Sequence, residues 1–166
     1  MPVRLFPLTL LLLPMVFNLP LQAIPLFSIA AAILLVYLPM GVVGYARARV
    51  GYDPHAPRAM FDRLPPYGQR ATWAHANGFE ALGTFAPSAL VAYVTGPHPD
   101  PWLFGLSGDE GVAVLCGVFL LARLLYNFFY IGDIPIGRSL SFLVGSLATL
   151  GLLLIGLLPF LGQNLA

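Results

Sequence analysis

Four long apolar segments dominate the chain, and each is long enough to cross a bilayer, which takes roughly 20 helical residues. They lie at about 25–46, 67–94, 108–131 and 136–158. Pro39 lies inside the first segment and predicts a kink there. A polar loop, 50–66, and a proline-rich break, 96–101, separate the first three segments. The pattern therefore predicts an all-α integral membrane protein, a four-transmembrane-helix bundle formed by residues 25–166.

The first 24 residues form a proline-rich apolar lead-in. Arg4 followed by an apolar run resembles the start of a signal peptide. Pro7, Pro14 and Pro20 interrupt any continuous helix, however, and no clean small-x-small cleavage site follows. We interpret residues 1–24 as a kinked or interfacial segment; a short extra span and a cleaved signal are the alternatives.

Two local patterns refine the predicted helices. Ser107 and Glu110 match the capping box S-x-x-E and predict that the third helix starts at this point. Ser141, Gly145 and Thr149 repeat every four residues and predict a face suited to close helix packing in lipid. The turn between the third and fourth segments is short, so these helices should be antiparallel neighbours.

Composition agrees with a membrane protein, because 58% of the residues are hydrophobic and only 9% are charged. The net charge of +1 gives no indication of nucleic-acid binding. Cys116 is the single cysteine, so no intrachain disulfide is expected, and its apolar surroundings predict a buried core residue. His98 and Asp100 lie among prolines with no third ligand, which favours a solvated turn, and we expect no metal.

Arginines set the predicted orientation in the membrane. The first and third loops with their flanks hold almost all of them, and the second loop holds none. The arginines of these two loops are Arg47, Arg49, Arg58, Arg63, Arg70, Arg123 and Arg138. Loops one and three are therefore predicted to face the cytoplasm.

A polar stripe opens the second segment. Arg70, Trp73, Asn77 and Glu80 have offsets of 0, 3, 7 and 10 and share one helix face, with His75 in the same stretch. A carboxylate at membrane depth costs several kcal/mol unless a partner compensates it. The chain must therefore supply a partner for Glu80.

A second polar face lies on the third segment. Arg123, Tyr126, Asn127 and Tyr130 have offsets of 0, 3, 4 and 7, and Arg138 falls in the first turn of the fourth segment. All of these positions lie in the predicted cytoplasmic half of the membrane. Three helices thus bring polar groups to one level.

Two interpretations fit this set. A Glu80–Arg123 pair would hold helices together as a purely structural contact. One acid cannot neutralise Arg70, Arg123 and Arg138, however, so the excess charge favours an anionic ligand from the cytoplasmic side. A small peptide-like molecule with carboxylates and an amine would fit, and a nearby arginine would favour its thiolate if it carried a thiol. A second, lipophilic reactant would arrive from the bilayer.

Three motifs carry a resemblance to a known family: WAHANGFE (73–80), ARLLYNFFY (122–130) and GRSLSF (137–142). The chain from about residue 25 to its end resembles the membrane-associated proteins in eicosanoid and glutathione metabolism. That family includes microsomal glutathione transferases, glutathione-dependent leukotriene and prostaglandin E synthases, and bacterial members. The resemblance implies a homotrimer of four-helix bundles, with glutathione bound between subunits and open to the cytosol.

The resemblance also implies roles for single residues. Asn77 and Glu80 would hold the glutathione backbone, with Glu80 near its amino group. Arg123, Tyr126 and Tyr130 would bind the polar ends of the tripeptide. The catalytic residue, which stabilises the thiolate, would be the arginine of GRSLSF, Arg138.

Several positions are less direct matches. His75 matches a family histidine beside the site, Ser139 follows the catalytic arginine as in the prostaglandin synthases, and Arg47 loosely matches an arginine that reaches a neighbouring subunit. Trp73 departs from the family, because several members have arginine there. Arg70, one turn earlier on the same stripe, is the candidate substitute and a predicted glutathione-binding residue.

The function expected from the sequence is that of a membrane-bound glutathione transferase or peroxidase. Glutathione would be the co-substrate, and a lipophilic small molecule and membrane lipid would be the partners. The alternative is a non-catalytic lipid-binding or accessory protein of the same fold. The proline-rich start is unlike the eukaryotic members and favours a protein of the bacterial inner membrane. A transporter lacks support, because no inverted repeat is visible.

Overall fold

Four long α-helices make up the fold. A computed structural model describes residues 20–96 and 107–161, without the side chains of Pro159 and Leu161. The helices are α1 (Ile24–Arg49), α2 (Pro66–Thr95), α3 (Gly108–Ile131) and α4 (Pro135–Leu161). They confirm the predicted all-α, four-helix architecture. The expectations for residues 1–19 and for His98 and Asp100 lie outside the described residues.

Three of the described helical stretches are long and apolar enough to cross a membrane: Leu21–Arg49, Gly108–Ile131 and Pro135–Leu158. Helix α2 has 30 residues and is about 45 Å long at 1.5 Å per residue. It is absent from this group because its first half carries the polar stripe. These three helices indicate an integral membrane protein. That α2 also crosses the membrane stays a prediction.

The start of α3 follows the predicted capping box. The Glu110 amide donates to Ser107 Oγ at 3.3 Å, and Glu110 Oε2 accepts from the Ser107 amide at 2.9 Å. These two bonds satisfy amide groups that an unprotected helix start leaves without acceptors. The sequence pattern therefore fixes where α3 begins.

Two apolar clusters fill the interior, one at each end of the bundle. Helices α1 and α2 pack together, as do α3 and α4, while α2 also packs against α4. The larger cluster comprises Ala32, Phe85, Ala89, Ala92, Val112, Cys116, Phe119, Ala148 and Leu152. The smaller cluster, near the 50–65 loop, comprises Val43, Ala46, Leu64 and Ala71. The burial of Cys116 confirms its predicted place in the core.

Polar contacts to the backbone of α1 lie between these clusters. Pro39 has no N–H, so it cannot donate the bond that Leu35 O would accept in an unbroken helix. Asn127 Nδ2 of α3 donates to Leu35 O at 3.2 Å instead. His75 Nδ1 lies 2.7 Å from Val36 O, and because a carbonyl only accepts, this ring nitrogen carries the proton. Both contacts tie α1 to its neighbours where its own ladder is weakest.

The small-residue face of α4 is buried as predicted. Ser141, Gly145 and Thr149 all face the interior. Further along, a Cβ added at Gly156 would lie 2.9 Å from the backbone nitrogen of Ala92, closer than real contacts allow. Glycine is therefore needed where α4 crosses the backbone of α2.

Candidate functional site

The amide of Asn77 joins two charged groups on neighbouring helices. Its Oδ1 accepts from Arg123 Nη2 at 2.8 Å, and its Nδ2 donates to Glu80 Oε2 at 3.1 Å. The two partners together dictate which end of the amide is oxygen. A direct Glu80–Arg123 ion pair does not form, since Arg70–Asp133 is the only ion pair within residues 20–96 and 107–161. The partner that Glu80 requires is thus the Asn77 amide.

Arg123 is a buried cation, with only 6% of its surface exposed. Its guanidinium lies 4.2 Å from the centre of the Tyr126 ring, in cation–π geometry. The hydrogen bond to Asn77 and this ring contact both offset the loss of hydration. Arg123 is therefore held rigidly at the level between the two apolar clusters.

The contacts continue from Tyr126 towards α4. The rings of Tyr126 and Tyr130 are 5.4 Å apart, and the Arg138 guanidinium lies 4.9 Å from the centre of the Tyr130 ring. A single polar chain results. We use this name for Glu80, Asn77, Arg123, Tyr126, Tyr130 and Arg138. The structure thus brings together the predicted catalytic residue and five of the six predicted glutathione-binding residues.

Arg70, the sixth, binds at the turn between α3 and α4. Its Nε donates to Ile131 O at 3.0 Å, and its Nη1 lies 3.4 Å from Asp133 Oδ2. It still borders the polar chain, because Arg70, Tyr130 and Arg138 line one small cavity. Its predicted role as a glutathione ligand stays a prediction, and the contacts that it makes are with the protein itself.

Asp133 changes the charge balance expected from the sequence. Three arginines, at positions 70, 123 and 138, face two carboxylates, Glu80 and Asp133, so one positive charge remains in excess. Asp133 lies in the turn and outside both polar helix faces, so the charge balance expected from the sequence included only Glu80. An excess of one charge still favours an anionic ligand, although less strongly than an excess of two.

The three further candidates lie outside the polar chain. Trp73 is 46% exposed and packs against the ring of Phe61, at 5.6 Å between ring centres. His75 bonds to Val36 O of α1 and contacts aromatic rings rather than the polar chain. Ser139 is exposed beside the catalytic candidate. Their predicted supporting roles stay predictions.

A groove of about 420 Å³ opens beside the polar chain, between α2, α3 and α4. Glu80 and Arg123 line one part of it, and Phe119, Leu150 and Leu153 give it an apolar lining. Four hydroxyl residues also line it, and sequence reasoning assigned none of them to the site: Thr84, Ser88, Ser146 and Thr149. These residues could have been found in the sequence as hydroxyls spaced three or four residues apart within the apolar runs of α2 and α4. The groove can hold a molecule that is polar at one end and apolar at the other.

Within the part of the chain that the structure describes, no group of three or more histidine, cysteine or acidic side chains could hold a metal ion. The polar chain presents arginine, tyrosine and carboxylate groups beside an apolar groove. Such a set can bind an anion and stabilise a negative charge that develops on it.

No curated protein matches this chain. The family model described as "MAPEG family" matches residues 24–158, which contain all four apolar segments and the whole polar chain. The chain therefore belongs to the MAPEG family, and this membership suggests a role in glutathione-related or eicosanoid metabolism.

Proposed function

We propose that the protein is a membrane-bound enzyme that uses glutathione as co-substrate and acts as a transferase or peroxidase on lipophilic molecules. The observation that carries this proposal is the polar chain from Glu80 to Arg138, placed beside an apolar groove.

The charges of the site fit the charges of glutathione. The tripeptide carries two carboxylates and one ammonium group. Arg123 and Arg138 would bind carboxylate or thiolate, and Glu80 would bind the ammonium group. Tyr126 and Tyr130 would donate hydrogen bonds to the remaining oxygens. Glu80 is exposed in the single chain, so its carboxylate is accessible to a ligand.

The proposed chemistry is activation of the thiol followed by nucleophilic attack. A free thiol has a pKa of roughly 8.5, so little thiolate exists at neutral pH. Arg138 lies in the first turn of α4, at the positive end of the helix dipole, and would lower this pKa, while the proton would pass to water. With an electrophilic carbon, the thiolate sulfur then forms a bond to that carbon as the leaving group departs with its bonding electron pair. With a hydroperoxide, the sulfur takes the terminal OH group as the O–O bond breaks, and the alkoxide takes a proton from water and leaves as an alcohol. A second glutathione then reduces the resulting sulfenic acid, giving glutathione disulfide and water.

We also propose that the protein is a homotrimer, with loops one and three in the cytosol. Helix α2 leaves one stripe exposed along its whole length: Trp73, Ala76, Glu80, Gly83, Pro87, Leu90 and Val94. A carboxylate on a face open to lipid is costly, so a second copy of the chain is the natural cover. A stable monomer with full glutathione affinity in native mass measurements would contradict the trimer.

The alternative function is that of a non-catalytic, lipid-binding accessory protein. The apolar part of the groove, with Phe119, Leu150 and Leu153, favours it. Trp73 favours it too, because no arginine occupies that position of the stripe. The alternative has no use for Arg138, which lies at the Tyr130 end of the polar chain rather than in the groove.

The test is ultraviolet difference absorbance of the detergent-purified protein on adding glutathione. We expect a saturable thiolate band that Arg138→Ala abolishes, whereas Glu80→Gln raises the Kd of glutathione. Arg58→Ala, at an exposed arginine of the first loop, is the matched control. An undiminished band in Arg138→Ala refutes the mechanism, and a folded wild-type protein with no band favours the accessory function.

A further inference from the structure

The turn that joins α3 to α4 is held by a side chain from a different helix. Arg70 of α2 donates through Nε to Ile131 O, the carbonyl of the last residue of α3, at 3.0 Å. The carbonyls at a helix end have no donor within the helix, and a cation there also complements the helix dipole. The last turn of α3 has no basic residue of its own. Arg70 therefore caps α3 from outside.

Asp133 completes this contact from within the turn. Its carboxylate lies 3.4 Å from Arg70 Nη1, and its φ of 61° is in the left-handed region, which aspartate and asparagine tolerate better than most residues. The Ile134 amide donates to Phe129 O at 2.8 Å, and the Arg138 amide donates to Ile134 O at 3.0 Å. The turn is thus bonded at both ends and to α2.

The same turn sets the distance between Tyr130 and Arg138. These two residues lie on either side of it, with the guanidinium 4.9 Å from the ring centre. Arg70, Tyr130, Asp133 and Arg138 line one small cavity. Helix α2 carries Asn77 seven residues beyond Arg70, roughly 10 Å along the axis. Arg70 therefore connects the ligand-binding part of α2, through a hydrogen bond and an ion pair, to the turn that presents Arg138.

We propose that Arg70 and Asp133 form a latch whose function is to position Arg138 for thiolate stabilisation, so that Arg70 is a positioning residue and not a ligand of glutathione. This inference rests on the proposed glutathione chemistry. The latch and a simple electrostatic effect of Arg70 and Asp133 can be told apart by measurement, because the latch acts by fixing the position of Arg138. Losing either partner loosens the turn, whatever charge is lost with it.

The sign of the response to Asp133→Asn separates the two explanations. Arg70, Asp133 and Tyr130 line the same cavity as Arg138. The other charged and titratable groups, Tyr126, Arg123 and Glu80, lie further along the polar chain. Removing one negative charge from this set would by itself favour the thiolate and move its formation to lower pH. Loosening the latch moves it to higher pH. The substitution keeps the size and tolerates the positive φ, and the side chain is 67% exposed, so the fold should survive.

The experiment measures the thiolate band at saturating glutathione against pH, the Kd of glutathione, and kcat with chlorodinitrobenzene as electrophile. For Asp133→Asn we expect formation at higher pH and a kcat lower by about twofold to fivefold, the range of an exposed ion pair. For Arg70→Lys, which keeps the charge but loses the planar fork, we expect a kcat loss of about tenfold. The Kd of glutathione should change by less than about twofold in both variants, because neither side chain contacts glutathione in this proposal and the loss stays at the low end of the range of an exposed ion pair. The matched controls are Asp62→Asn and Arg63→Lys, at exposed positions of the loop between α1 and α2.

Three outcomes overturn the latch: a shift to lower pH in Asp133→Asn, no shift in either variant, or a raised Kd in Arg70→Lys with the thiolate intact at saturation. The last would make Arg70 a ligand of glutathione. A wild-type protein with no thiolate band overturns the proposed function itself. Unchanged variants beside a normal wild-type band overturn only the latch.

Discussion

The hydrogen bond from Asn127 to Leu35 O should contribute to stability, because Pro39 has no N–H that could donate to this carbonyl within the helix. Asn127→Leu keeps the number and branching of the side-chain heavy atoms but removes the donor to Leu35 O. Residue 127 is only 5% exposed, so water cannot readily replace that donor. An unsatisfied buried carbonyl costs about 1–3 kcal/mol, and measured interhelical bonds in membranes average about 0.6 kcal/mol with a maximum near about 1.7. We therefore expect Asn127→Leu to lower the free energy of unfolding by about 1–2 kcal/mol.

A second substitution tests the cause. Pro39→Ala restores an N–H four residues after Leu35, so the helix can satisfy that carbonyl itself. In this background the cost of Asn127→Leu should fall by about 1 kcal/mol, the value of one such bond. The assay is a double-mutant cycle on reversible unfolding in mixed micelles, followed by circular dichroism. Thr149→Val is the control, because its hydroxyl bonds to Gly145 O within the same helix and its loss leaves no carbonyl without a helical donor. An equal cost of Asn127→Leu in both backgrounds would refute the reasoning.

Three further predictions concern stability and the assay itself. Gly156→Ala should destabilise the fold by about 1–3 kcal/mol, because its Cβ meets the Ala92 backbone, whereas Gly117→Ala, with open space around it, should be neutral or stabilising; thermal unfolding in detergent compares them. Ser107→Ala should cost about 1 kcal/mol through loss of the capping box, and an unchanged unfolding temperature would contradict this. Cys116→Ala should retain glutathione turnover, because this thiol is buried in the core; a loss of kcat without unfolding would show that it takes part.

The sequence predicted the helices well, because the bilayer makes length and apolar content strong signals. The capping box at Ser107 even placed the start of α3. The kink expected at Pro39 stays a prediction, because the continuity of α1 from Ile24 to Arg49 does not measure the bend of its axis. The sequence shows that Pro39 lacks an N–H. It does not show that Asn127, on another helix, donates to Leu35 O in its place, because this is a tertiary contact.

The candidate site shows the same division. Periodicity placed Asn77 with Glu80 on one face and Arg123 with Tyr126 on another, and the structure joins these faces through one amide. Periodicity does not tell which residue lies between two charges, so it left open the alternative of a direct Glu80–Arg123 pair, and the Asn77 amide lies between the two groups instead. The role of Asp133 was missed because a turn residue belongs to no helical face. Its partner, Arg70, is 63 positions away in the chain.

The polarity of α2 also bears on how the chain enters the membrane during synthesis. A helix with this stripe gains too little from lipid to partition readily alone, whereas α1 precedes it and is strongly apolar. We expect α1 and α2 to insert as a hairpin, with Val36 O available to His75 as α2 arrives. A glycosylation-mapping reporter should record α2 as crossing only when α1 is present. The order of the helices in the chain would then be a condition for biogenesis as well as for folding.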